Sequence, residues 1–426
     1  MLRPGTLMSF PVLSKQLSFQ LVILTLGLSL GFFYCNHPDN MLDQFYGAYY
    51  SGAQELKNTS ISSYLTEPNR RFQVDVDQVH AYAAGDISHI QPSSGQKTTV
   101  YKHNNISFVW VVVLANSISF LAELTDRVEF LLLLIHALIC AWILKHLNRR
   151  KAWVFLFLYA LNPLVVYFVL YPYYYFGLVV PGALFILQRI RVNWSYIALA
   201  AALFVLGWSL NLRSTGILLA LYVSYRFIRD LPAKKMVFGF LFLVLGFYLT
   251  WSPSQKHPIF TAYLGLGAYD NFFLESMEDD VALSEFQSVS GYDMNSGDLR
   301  SHYYEDEAQE SMNAYLYTKY VHLALGHPWR MLRNAGLNFV NAYGVGYLND
   351  FGFLWRLVGF LFGLFTLALM LWTKKHEILL AIALLSLPVV LYYPPTQIYI
   401  FGNFILIAYF WTDWLTSRLP LRDSNP

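Results

Sequence analysis

Long, nearly uninterrupted apolar runs constrain this chain more than any other feature of its sequence. They fall at about residues 19–35, 129–147, 152–170, 175–189, 195–211, 214–228, 236–252, 353–373, 377–393 and 398–416. Each is close to the roughly 20 apolar residues that a helix needs to cross a bilayer. Of the 426 residues 56% are hydrophobic and only 13% charged, with a mean hydropathy of +0.39. Soluble chains carry about 25% charged residues, and a core of this size could not hide so much apolar surface from water. The expected fold is an all-α polytopic membrane protein with about ten transmembrane helices.

Charge sets the expected orientation. With the N-terminus inside, the cytoplasmic connections become Arg149-Arg150-Lys151, Arg189 with Arg191, Arg226 through Lys235, Lys374-Lys375, and a tail with Arg418 and Arg422. Every basic cluster then falls on one side, as the positive-inside rule requires. The first run follows Arg3 and Lys15 but leaves through Phe32-Phe33-Tyr34-Cys35 with no small-residue cleavage site, so it reads as a retained span. Residues 106–121 and 331–348 are also apolar, yet a crossing at either would turn the next basic cluster outward. Both are read as external or peripheral helices. Cys35 and Cys140 sit at different depths and imply no disulfide.

Three regions follow from this reading: 1–252, an N-terminal membrane module whose first external loop is 36–128; 253–352, a second external region; and 353–426, the C-terminal spans. Between Asp270 and Glu310 there are twelve acids and a single basic residue, Arg300, which excludes nucleic acid or an anionic membrane surface as a partner of that loop. Asp293 to Asp298 lacks the closing Glu of a calcium loop. No metal or cofactor is implied, and no Gly-rich phosphate loop is present.

Chemistry is sought in the external loops. Asp39 and Asp43 lie four residues apart just beyond the first run, on one face if the stretch is helical. Under a partly apolar cap either could act as a general base; both could equally be solvated acids. Arg213 falls between two apolar runs on the side where arginine is disfavoured, so it wants an anionic partner, either a phosphate or a loop acid. Tyr171, Tyr173, Tyr174 and Tyr175 suit an interfacial belt or a sugar-stacking surface.

An N-terminal span, a long external loop opening on an acid, and an apolar surface helix before the second span resemble the GT-C superfamily of polyprenyl-phosphate-sugar-dependent glycosyltransferases. Its bacterial members related to the aminoarabinose transferase and the protein O-mannosyltransferases are the nearest in pattern. The family's acid pair before a Tyr is matched by Asp43-Gln44-Phe45-Tyr46, with Gln in place of the second acid, so Asp39 stays a competitor. Lys102 in YKHNNISFVW stands where the family has a Lys before two prolines, here Asn104 and Asn105. It reads as a phosphate ligand or an ordinary loop lysine. Arg127 matches the Arg that opens the family's second span, and the phrases around Tyr269-Asp270-Asn271 and His327-Pro328-Trp329 extend the likeness.

The resemblance implies transfer of a sugar from a polyprenyl-phosphate donor to a lipid, glycan or protein acceptor on the outer face of a bacterial inner membrane. Asp43 or Asp39 would be the base, and Lys102, Arg127, Arg213, Tyr46 and Arg330 would contact substrate. Two other classes stay open. A lipid-linked oligosaccharide polymerase or ligase would use paired late-loop arginines such as Arg330 and Arg333. A transporter or flippase would use a titratable group inside a span, for which His136 is the candidate.

Overall fold

The computed structural model describes residues 124–170, 176–212, 214–250, 258–269, 272–295, 301–348 and 352–418, the strand pair at 72–74 and 99–101, and scattered positions between 20 and 118. The strands β1 (Phe72–Val74) and β2 (Thr99–Tyr101) are antiparallel, with Phe72 opposite Tyr101. The remaining described residues are almost entirely helical. The order is α1 (Leu124–His146), α2 (Arg149–Phe155), α3 (Pro163–Leu170), α4 (Phe176–Arg189), α5 (Tyr196–Leu212), α6 (Ile217–Asp230) and α7 (Ala233–Thr250). Then come α8 (Pro258–Leu264), α9 (Asp279–Ser290), α10 (Asp306–Gly326), α11 (Pro328–Asn341), α12 (Gly352–Trp372), α13 (His376–Val390) and α14 (Gln397–Arg418).

Nine of the ten apolar runs coincide with helices; of the first, only Gln20, Thr25 and Gly27 are described, each helical. Length separates helices from full spans, however. Among the described residues, Val128–His146 and Gly352–Trp372 are long and apolar enough to cross a membrane, and the bent pair Arg149–Ala160 with Pro163–Val169 would add a third if it forms one span rather than a re-entrant turn. Helices such as α4, α5 and α13 are apolar but shorter, so the expected count of about ten is not reached on length and composition.

The bend in the pair has a local cause. Asn148 caps α2 by accepting from the Lys151 backbone N–H at 2.9 Å. The helix then widens into a π-turn at Leu156–Ala160 and breaks at Asn162-Pro163, bending by 60°. Pro163 has no N–H to continue the ladder. Asn162 patches the break, donating from Nδ2 to the Leu158 carbonyl (3.3 Å) and accepting at Oδ1 from the Leu164 N–H (3.0 Å).

A single apolar core runs from Val111 to Phe410 and joins α1–α7 with α12–α14. Inside it lie polar side chains that a soluble core would mostly exclude: Ser209, Thr366, Ser386, Asn403 and Thr412. Asn403 Nδ2 donates to the Ala342 carbonyl at 2.8 Å and to Ser386 Oγ at 2.6 Å. The outer faces are apolar instead. On α7, Val237, Phe240 and Leu241 are exposed, and on α12 Phe353, Leu354, Phe365 and Trp372 stand out from the bundle. Apolar faces of that extent are what a hydrocarbon solvent covers.

Ion pairs gather the basic clusters at one end of the bundle. Lys151 and Lys375 both reach Asp413 at 2.6 Å. Arg189 pairs with Glu377, Arg226 lies 3.7 Å from the same carboxylate, and Lys235 Nζ donates to the Trp194 carbonyl at 2.6 Å. Since the helices alternate in direction, the acid-rich segment after Pro258 belongs to the opposite end. There α8, α9 and α10 enclose a second core around Tyr263, Leu283, Phe286, Met312 and Leu316. Glu285 ties this lid together, accepting from Tyr263 OH at 2.5 Å and Tyr315 OH at 2.9 Å and pairing with Lys319.

Candidate functional site: the seam between lid and bundle

The seam is built on α11, whose buried side chains are Asn334, Asn338 and Asn341. At i, i+4 and i+7 these form one face of the helix, so what it presents inward is amide and not alkane. Buried amides need partners, and they find them on both sides. Tyr269, just after the lid's Gly265–Gly267 turn, donates its OH to Asn338 Oδ1 at 2.5 Å and accepts from Asn341 Nδ2 at 3.2 Å. Asn338 Nδ2 in turn donates to the Val390 carbonyl at 2.9 Å, at the end of α13. The segment 331–348 contributes a helix whose amide face joins the Tyr269 region to the end of α13 while its opposite face stays exposed.

Tyr347 completes the network. Its OH donates to the Ala268 carbonyl and accepts from Arg356 Nη1 at 3.0 Å, its N–H donates to the Pro395 carbonyl at 2.8 Å, and its ring meets Tyr269 edge-on at 5.2 Å. Burial pushes both phenols above their ordinary range, opposed at Tyr269 by the Asn341 hydrogen bond and at Tyr347 by the Arg356 charge. They remain neutral donors at any physiological pH. Gly265 lets the lid come this close, because a Cβ there would sit 2.2 Å from the Tyr392 carbonyl oxygen.

Cations and an acid border the seam. The Arg330 guanidinium lies 3.5 Å over the Phe272 ring, and His327 packs edge-on to Phe272 (4.9 Å) and Phe273 (5.5 Å). Arg333, one turn on, donates to Asn334 Oδ1 from Nη2 at 3.0 Å. At the start of α9, partial desolvation by neighbouring residues and then the Asp280 charge raise the carboxyl of Asp279, whose side chain still meets solvent. The Asp279 charge in turn adds to the burial that pushes Tyr303 up to about 12. Arg330 thus packs on an aromatic ring and Arg333 on an amide of the same helix, beside the hydroxyls of Tyr269 and Tyr347.

The Asp279 shift has a testable sign. A carboxyl whose folded-state pKa exceeds its unfolded value stabilises the fold only while it is protonated, and that contribution is lost as pH rises from about 3.9 through the raised value. Because Asp279 meets solvent, which screens the effect, Asp279→Asn should leave the melting temperature near wild type at pH 4 and raise it only slightly relative to wild type at pH 7. Parallel thermal melts at both pH values test this; an equal difference at the two would contradict it.

Of the residues read from sequence as a site, Asp39, Asp43, Tyr46, Lys102 and Arg213 lie outside the described residues. Arg127 falls in the first turn of α1, and Arg330 is on the seam. His136 is buried against Cys140 Sγ (3.5 Å) and the Tyr159 ring (5.5 Å), the surroundings of a packed side chain. Tyr269, Asn338, Asn341, Tyr347, Arg356 and Asp279 were missed. The Asn spacing on α11 was the one available signal, since three amides at helical spacing mark one polar face of a helix, though not its burial. Among the described residues no three His, Cys, Asp or Glu side chains group as a metal ion would need. No protein-family model, curated protein or solved structure matches the chain.

Proposed function

We propose that this chain is a multi-pass membrane glycosyltransferase of GT-C type that moves a sugar from a polyprenyl phosphate to an acceptor hydroxyl at the lid end of the bundle. The observation that carries the reading is the polarity of the bundle. Its flanks are apolar, its basic clusters meet at one end, and a hydroxyl-, amide- and guanidinium-rich seam under an acidic lid occupies the other. By the positive-inside rule the basic end is cytoplasmic and the lid external, which suits a bacterial inner membrane with about ten crossings, the shorter helices spanning where the protein thins the bilayer.

In this mechanism Asp43, with Asp39 as its competitor, takes the proton from the acceptor hydroxyl as that oxygen attacks the anomeric carbon. The sugar–phosphate bond breaks and the polyprenyl phosphate leaves with the electron pair. Lys102, Arg127 and Arg213 hold the phosphate, each contributing on the order of a few kcal/mol to stabilising its charge. Tyr46 and Arg330 line the approach. A polymerase or ligase acting on lipid-linked glycans is the second reading, favoured by Arg330 and Arg333 standing one turn apart at the seam. The decisive assay is transfer from a radiolabelled polyprenyl-phosphate monosaccharide by the purified chain. One sugar added per acceptor supports the transferase, ladders of product support the polymerase, and no turnover with any such donor rejects both.

Topology is tested separately. In a chain carrying Cys35→Ser and Cys140→Ser, a membrane-impermeant maleimide added from outside should label Ser290→Cys and spare Arg150→Cys. Labelling of both from one side would overturn the arrangement.

A further inference from the structure

At the basic end, opposite the lid, a cavity of about 680 Å³ is lined by Arg189, Arg191, Arg226 and Arg229. The three carboxylates on its wall are already engaged: Asp413 by Lys151 and Lys375, Glu377 by Arg189, and Asp230 by Arg229 at 2.7 Å. Six cations thus serve three acids.

Arg226 is the cation buried with open hydrogen-bonding capacity. Its side chain is nine-tenths buried, its Nε and Nη1 have no hydrogen-bond partner, and the Glu377 oxygen at 3.7 Å is beyond hydrogen-bond reach. Phe185 and Tyr222 hold the guanidinium at 5.6 and 6.0 Å from their ring centres. A buried guanidinium with two N–H groups lacking hydrogen-bond acceptors is costly even beside a carboxylate, and its planar fork matches the oxygens of a phosphate.

A second cavity of about 300 Å³ adjoins the first, sharing Phe227 and Leu231. Its lining is apolar, including Leu199, Leu203, Phe240 and Leu243, and it opens beside the exposed face of α7. Inorganic phosphate would need only the cationic cavity. The pair together fits a phosphate joined to a hydrocarbon chain.

We propose that these joined cavities bind an anionic phospholipid, its phosphodiester on Arg226 and the neighbouring arginines and an acyl chain along Leu199, Leu203 and Phe240. This requires that the chain sit in a membrane, but not that it transfer sugar, and the site is at the other end of the bundle from the proposed donor. Basic pockets between membrane helices are suited to such headgroups.

The test is native mass spectrometry of the purified full-length chain titrated with phosphatidylglycerol or phosphatidylcholine, with calorimetric titration of inorganic phosphate as the soluble arm. Phosphatidylglycerol should bind about tenfold more tightly than phosphatidylcholine, and Arg226→Gln should remove most of that preference. Arg191→Gln, an exposed substitution, should weaken it by a few fold and decides the matter if Arg226→Gln does not fold. Equal binding of the two lipids, an unchanged preference in the folded arginine variants, or inorganic phosphate binding as tightly as phosphatidylglycerol would each overturn the proposal.

Discussion

Asp43→Asn is expected to abolish sugar transfer, with a loss of about 10²- to 10⁴-fold in turnover, while leaving the protein folded and able to retain donor. An amide cannot accept the acceptor's proton, and removal of a positioned general base costs on that order. Lys102→Ala and Arg213→Ala should fail differently, weakening donor binding and slowing transfer together, because a phosphate is held in ground state and transition state alike. Rates and donor affinities of these variants, measured with one polyprenyl-phosphate donor, separate the roles. Near-normal turnover in Asp43→Asn with loss in Asp39→Asn moves the base to Asp39. Loss only in Asp279→Asn moves it to the lid, where the structure holds a carboxyl with raised proton affinity. Near-normal turnover in all three rejects the mechanism.

Gly246→Val should be the most damaging single change in the described membrane bundle. Parallel helices α5 and α7 touch through bare backbone: a Cβ on Gly246 would lie 2.1 Å from the Phe204 carbonyl oxygen, and one on Gly207 would lie 2.2 Å from that of Leu243. No side-chain rotation relieves a clash with backbone, so the helices must separate. Small residues are what let membrane helices approach this closely, and overpacking costs about 1–3 kcal/mol even where side chains can yield. A loss of about 3 kcal/mol or more is expected, seen as a large drop in the temperature at which the detergent-purified protein loses its monodisperse peak. Gly336→Ala is the control. It lies exposed within α11 with nothing within 4 Å of its Cβ position, and should be neutral or stabilising by about 0.5–1 kcal/mol. Equal tolerance of Gly246→Val and Gly336→Ala would show that the α5–α7 contact is not tight.

The sequence by itself determined where the helices lie. An apolar run of helix length closes its own backbone hydrogen bonds, so nine of the runs could be located without knowing any partner. The shared end of the basic clusters was legible for a related reason: helices that alternate in direction return every second connection to the same side, and Lys151, Lys375 and Asp413 meet there as that logic requires. The acid-rich lid was visible as composition. Its core, in which Glu285 binds Tyr263 and Tyr315, was not.

What tertiary structure decided are the features made by residues far apart in the chain. Asn338 reaches Val390 and Tyr269, Tyr347 reaches Ala268, and Arg226 meets Glu377, contacts that depend on which helix faces cross and how closely. The amide stripe on α11 could be counted in the sequence, yet nothing local distinguished a face turned to water from one bolted to a neighbouring helix. The arginine-lined cavity was equally hidden, because its arginines come from α4, the turn after it, and α6, and read singly as positive-inside markers. Hydropathy along a chain reports the solvent that each segment prefers, whereas a site is a meeting of side chains. Only the crossing of helices, set here by glycines that admit a neighbour's backbone, determines which side chains meet.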